Sequence, residues 1–152
     1  MLSSSGVAFL HFVAVFGIFA VVALQWQTMS ATPTVAEARR IQASDRWFGI
    51  LAGVVLVVGF LRVYYFEKGA AFYFGNAFFI GKLTLFVVVG LLSIYPTIRF
   101  LKWRAQTRQG QPPVVSAAEY KRIALVLRVE LVLLLAMAAC ASLMARGIGV
   151  SR

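Results

Sequence analysis

Three ionisable side chains stand inside apolar runs, where a charge is costly: His11, Arg62 and Lys82. A neutral imidazole can ligate a metal through one ring nitrogen. A guanidinium grips a carboxylate with two parallel hydrogen bonds, and an ammonium adds a point charge. Together they suit an anionic, planar ligand. His11 sits about four residues into its run, Arg62 four before the end of its own, and Lys82 five into a third. At about 1.5 Å per residue, all three lie roughly 6–8 Å inside the same boundary. From Lys82 a stripe continues through Phe86, Val89 and Ser93, and from His11 through Ala14, Ile18 and Gln25. If both stripes face inward, the polar groups meet in one pocket. The competing reading is that Arg62 and Lys82 snorkel to the headgroups and His11 is a hydrogen-bonded structural residue. A second polar set comprises Asp45, Arg46, Arg128 and Glu130. Glu130 is expected to pair with a base from another helix, such as Arg46 or Arg99.

The elements that carry these residues are four apolar runs, at residues 7–24, 47–66, 77–95 and 123–145. Each is near the roughly 20 residues that a helix needs to cross a bilayer. Hydrophobic residues make up 61% of the 152-residue chain and charged ones 13%. A soluble domain of this size carries about a quarter charged residues. Open strands would leave unpaired backbone groups in lipid, and a bacterial-type barrel needs at least eight strands. The fold class is therefore an all-α membrane protein, a four-transmembrane-helix antiparallel bundle, forming a single domain over residues 1–152. The first run lacks a positive n-region and a clear cleavage site, so it reads as a retained helix rather than a signal peptide.

Between the runs, Thr34-x-x-Glu37 and Ser116-x-x-Glu119 have the spacing of helix capping boxes. A short interfacial helix is expected at residues 35–42, with Ser44 or Asp45 capping the second span. Residues 67–76, with Gly69 and Gly75 among aromatics, read as a tight turn, and residues 106–113, with two prolines, as a linker. Pro96 should kink or end the third helix. Gly49 and Gly53 form a small-xxx-small pair that lets helices approach closely, within the chain or between copies.

Basic residues outnumber acidic ones 15 to 5, giving a net charge of +10. They cluster in the first and third connections: Arg39, Arg40 and Arg46, then Arg99, Lys102, Arg104, Arg108, Lys121 and Arg122. Lys68, Arg146 and Arg152 lie on the other side. That distribution is a topology signal rather than a nucleic-acid footprint. It places loops one and three in the cytoplasm and both termini outside a bacterial inner membrane. Trp26, Trp47 and Trp103 fall at the cytoplasmic boundary, and Tyr64, Tyr65, Phe72 and Tyr73 at the outer one.

No P-loop, G-x-S-x-G, H-E-x-x-H or C-x-x-C motif is present. One histidine and one cysteine, Cys140, do not make an ordinary protein metal site, whereas haem iron is often held by a single histidine. Catalytic residues stay unassigned. The partners open to the chain are the lipid bilayer, a second copy or another membrane protein, and no nucleic acid.

Specific stretches then resemble a known family. They are Ala43-Ser44-Asp45-Arg46-Trp47-Phe48-Gly49, the run from Gly59 to Tyr73 containing Arg62-Val63-Tyr64-Tyr65-Phe66, Asn76-Ala77-Phe78-Phe79-Ile80-Gly81-Lys82, and Leu92-Ser93-Ile94-Tyr95-Pro96-Thr97. The chain resembles a bacterial family of small predicted inner-membrane proteins of unknown function. The resemblance implies four spans and no known activity. More loosely, His11 and Lys82-Leu83 are similar to a histidine and a Lys-Leu pair of the HemJ-type protoporphyrinogen oxidases, which implies haem b on His11 and a redox role. Gln25-Trp26-Gln27 and Ile94-Tyr95-Pro96 depart from that family's pattern.

Overall fold

The computed structural model describes residues 4–66 and 69–149. Met1, Lys68 and Arg152 lie outside the described residues. Among the described residues, four helices are long and apolar enough to cross a membrane. Helix α1 is Ser4–Thr28 and α2 is Val35–Leu61, continued by a π-turn at Arg62–Phe66. The short α3 (Ala70–Phe74) leads into α4 (Ala77–Lys102). The short α5 (Arg104–Arg108) precedes α6, Ala117–Ala145. The long helices alternate in direction. Helix α1 packs along α2 and α4 along α6, and the two pairs join chiefly where α1 meets α6, with a thinner seam between α2 and α4.

The core is a column of aliphatic side chains. It includes Ala14, Ile18 and Val22 of α1, Ile41, Phe48 and Val55 of α2, Val89 and Phe100 of α4, and Ile123 and Leu127 of α6. The outer faces are apolar as well: Phe9, Phe16, Leu91, Leu125 and Val132 are all exposed. Helices apolar on every side are stable only where the surroundings are apolar too.

Both helix starts marked by capping spacing are found. Thr34 Oγ1 accepts the Glu37 amide at 3.2 Å, and the Thr34 amide donates to Glu37 Oε2 at 2.7 Å. Ser116 Oγ accepts the Glu119 amide at 3.1 Å, but the Glu119 carboxylate does not turn back. It receives the Trp103 indole N–H at 3.3 Å and so ties the start of α6 to the end of α4. The expected interfacial helix at residues 35–42 is not separate. No Gly or Pro interrupts residues 35–48, so α2 runs straight through. Ser44 does not cap: its hydroxyl donates to the Arg40 carbonyl one turn back, at 2.9 Å. Pro96 does not end α4, which continues past it to Lys102 with the proline buried.

We call the end holding residues 29–34 and 109–116 the basic end, and the opposite one the terminal end. At the basic end, the Arg39 guanidinium donates to the Thr107 carbonyl at 2.8 Å and Gln42 Nε2 to the Phe100 carbonyl at 3.1 Å. At the terminal end, Asn76 is fully buried and serves two elements. Its Oδ1 accepts the Phe78 and Phe79 amides, capping α4, while Nδ2 donates to the Ile148 carbonyl at 3.0 Å. The Ala77 amide donates to the Gly149 carbonyl at 2.9 Å beside it. Gly149 has φ +85°, and a Cβ there would fall 2.6 Å from the Phe78 ring, so only glycine fits. Asn76→Asp keeps the cap and loses the Ile148 bond, whereas Asn76→Ala loses both. Thermal melting in detergent should therefore rank wild type above Asn76→Asp, and Asn76→Asp above Asn76→Ala.

Candidate functional site

Two close approaches set the register of α1 against α2. A Cβ on Gly17 would lie 2.9 Å from Leu51, and one on Gly59 would lie 3.2 Å from His11 Cε1. Gly59 is thus the floor on which the imidazole rests. His11 is half-buried, its Nδ1 is enclosed, and that nitrogen has no hydrogen-bond partner. The neighbouring Phe12 ring stands edge-on to the imidazole at 6.4 Å.

Arg62 opens the π-turn that follows α2. A π-turn inserts one residue into the helical repeat and re-aims the side chains after it. The Arg62 guanidinium lies 5.5 Å from the centre of the Phe12 ring, which draws it over α1. Lys82 comes from α4, with Nζ 5.3 Å from the centre of the Phe79 ring. Behind it, Gly81 faces Cys140 of α6, whose Sγ would be 3.9 Å from a Cβ at that position. These groups share one electrostatic neighbourhood: His11 lies in the fields of Arg62 and Lys82, and Lys82 in that of Arg62. The structure therefore brings the three sequence-chosen residues to one end of the bundle on three different elements. The stripes below them point inward, since Ala14, Ile18, Gln25 and Val89 are all buried.

The second polar set is arranged differently from the expectation. Glu130 pairs with neither Arg46 nor Arg99. Arg46 is exposed, and Arg99 lies over the Tyr95 ring at 5.5 Å. Arg128 lies over the Trp26 ring of α1 at 5.8 Å. These cations reach aromatic faces at the margin rather than the interior carboxyl. Glu130 is 1% exposed, and its Oε1 has no hydrogen-bond partner. The charge it feels is Asp45 of α2, whose Oδ1 accepts the Thr97 hydroxyl at 2.7 Å. The signal for this burial was in the sequence: Ile123, Leu127 and Glu130 follow the spacing of one helix face, and all three are buried.

A four-helix membrane protein with one cationic cluster and one interior carboxyl layer is the class that fold and sites define. Over residues 3–149 the chain matches the predicted membrane protein family DUF2214, and it belongs to that family. No curated protein and no solved structure matches it, and the likeness to HemJ-type oxidases finds no support in these comparisons.

Gly49 and Gly53 have nothing within 4 Å of a built Cβ, so they do not pack within the chain. Between α1 and α2 the close contacts belong to Gly17 and Gly59 instead. Gly59→Val should displace the imidazole and change the His11 side-chain NMR resonances. Gly49→Val and Gly53→Val should leave them unchanged. Identical responses at all three positions would contradict the register of α1 on α2.

Proposed function

We propose that this protein is a non-catalytic component of the bacterial inner membrane whose His11, Arg62 and Lys82 cluster binds an anionic headgroup from the outer leaflet. The single observation that carries this reading is the convergence of two cationic side chains and an imidazole from three elements at one level of the bundle. Positive charge gathered at one level of a bundle favours an anionic group beside it. The chemistry suits a phosphate or carboxylate: the guanidinium offers a bidentate fork and the ammonium a compact charge. The imidazole contributes a donor whose orientation Gly59 fixes.

Nδ1 is enclosed on the Gly59 side, so an axial bond to haem iron would fall to Nε2. An open groove of about 610 Å³ lies away from His11, at the basic end between residues 31–35 and 112–115.

Native mass spectrometry of protein released from anionic lipid tests the headgroup reading. Wild type should retain bound anionic phospholipid, and the double variant Arg62→Gln/Lys82→Gln should lose at least tenfold of it at an unchanged melting temperature. Lys102→Gln/Arg104→Gln, at the basic end, should keep it. Equal retention by all three would contradict the proposal. A Soret band in protein prepared with haem available, removed by His11→Ala, would replace it with the haem reading.

In the orientation proposed here, loops one and three are cytoplasmic and both termini outside, as the basic residues favour. Reporter fusions within residues 106–113 should therefore report cytoplasm, and fusions after Arg152 the exterior. The reverse pattern would invert the protein and move the headgroup site to the inner leaflet.

A further inference from the structure

Glu130 poses a separate problem at another depth. Among the described residues it is one of the most buried side chains, deep in a membrane helix, with no cation against it. A carboxylate cannot be held there bare, because its desolvation is not compensated. Two states are stable: the neutral acid, or the carboxylate joined to a captured cation.

The register of the helices shows what surrounds it. Gly81 against Cys140 and Trp103 against Glu119 align α4 with α6, placing Glu130 beside Leu91 and Leu92. Tyr95 is one turn further along α4, and a helical tyrosine leans toward the N-terminus of its helix, hence toward that level. The Tyr95 hydroxyl is buried and has no hydrogen-bond partner. Gly17 against Leu51 and Gly59 against His11 align α1 with α2, placing Gln25 beside residues 43–45. Gln25 leans toward the terminal end and Glu130 toward the basic end, so the two approach the same layer from opposite directions. Gln25 is 3% exposed, continues the inward stripe of α1, and its Nε2 is also without a partner. Asp45, held by Thr97, completes the layer from α2.

Two unpartnered buried polar groups, Gln25 of α1 and Tyr95 of α4, thus flank the carboxyl pair, and Glu130 Oε1 is the third orphan. Buried polar groups are almost always hydrogen-bonded, so three orphans in one layer mark a site that takes something else. The oxygens on offer are those of Glu130, Asp45, Tyr95 and Gln25, a hard, oxygen-rich donor set. We propose that Glu130, with Asp45, Tyr95 and Gln25, forms an intramembrane site for one small monovalent cation, a proton or Na⁺. With a proton bound, Glu130 becomes a hydroxyl donor toward its neighbours. With Na⁺ bound, it stays a carboxylate and the surrounding oxygens fill the coordination shell. The other charged groups facing this layer stand at its margin. Arg104 of α5 lies in reach of Asp45, Arg99 is over the Tyr95 ring, and Arg128 is over Trp26.

Infrared difference spectroscopy of the full chain in lipid nanodiscs reads the carboxyl directly. Wild type should show a carboxylic-acid C=O band that Glu130→Gln removes. Under the proton arm the band disappears as pH rises in Na⁺-free buffer. Under the Na⁺ arm it converts to carboxylate when Na⁺ replaces choline at constant pH. Asp45→Asn should shift either titration by removing a neighbouring negative charge. Glu130→Gln is nearly isosteric and should melt within a few degrees of wild type, so loss of the band is not loss of fold. A Glu130 band that responds to neither pH nor Na⁺, or no Glu130 band and no Na⁺ effect, would overturn the proposal.

Discussion

The bilayer interior supplies no water, so any polar group carried into it must be answered from within the protein or by something the protein binds. The rest of the structure follows from that constraint. Backbone groups are answered by helices, and outward faces by apolar side chains such as Leu125 and Val132. What remains is a small set of polar side chains turned inward. They are sorted by charge: His11, Arg62 and Lys82 at the terminal end, Asp45 and Glu130 towards the basic end. The column formed by Ala14, Ile18, Val22 and Val89 lies between them. Helix α1 holds both layers together. One face of it carries His11 into the first and Gln25 into the second, and its contact with α6 joins the two helix pairs.

Four spans and their approximate positions were legible because hydropathy over twenty residues reports directly on the solvent a helix requires. The depth arithmetic for His11, Arg62 and Lys82 was legible for a similar reason: helical rise is constant, so position in a run converts to depth. Local punctuation was less reliable. Ser44 has the chemistry of an N-cap, yet inside a continuous helix its hydroxyl turns back to Arg40. Pro96 has the chemistry of a terminator, yet α4 passes through it, and the Asp45–Thr97 bond beside it ties that stretch to α2.

The features that escaped the sequence depend on how helices are registered against each other. Gly49 and Gly53 have the spacing of a packing motif but face away from the chain's own helices, while Gly17 and Gly59 take the close contacts without any motif. The missing partner of Glu130 has the same origin. Arg122 and Arg128 precede it on the same helix, Arg99 stands on another, and opposite charges invite pairing. Arg99 and Arg128, however, have long stems that reach aromatic rings at the margin and leave the interior carboxyl to Asp45. Its place on the Ile123–Leu127 face was visible. Its lack of a counter-ion required the fold.

The central claim is that both polar layers face the bundle interior and not the lipid. Magnetisation transfer from lipid acyl chains to selectively labelled side chains, measured by NMR in bilayers, tests it most directly. The account predicts strong transfer to Leu125 and Val132 of α6 and little to Glu130 on the same helix, with Gln25 equally shielded on α1. Transfer to Glu130 as strong as to Leu125 would contradict it, because the carboxyl would then lie on the lipid face and its layer would not be enclosed.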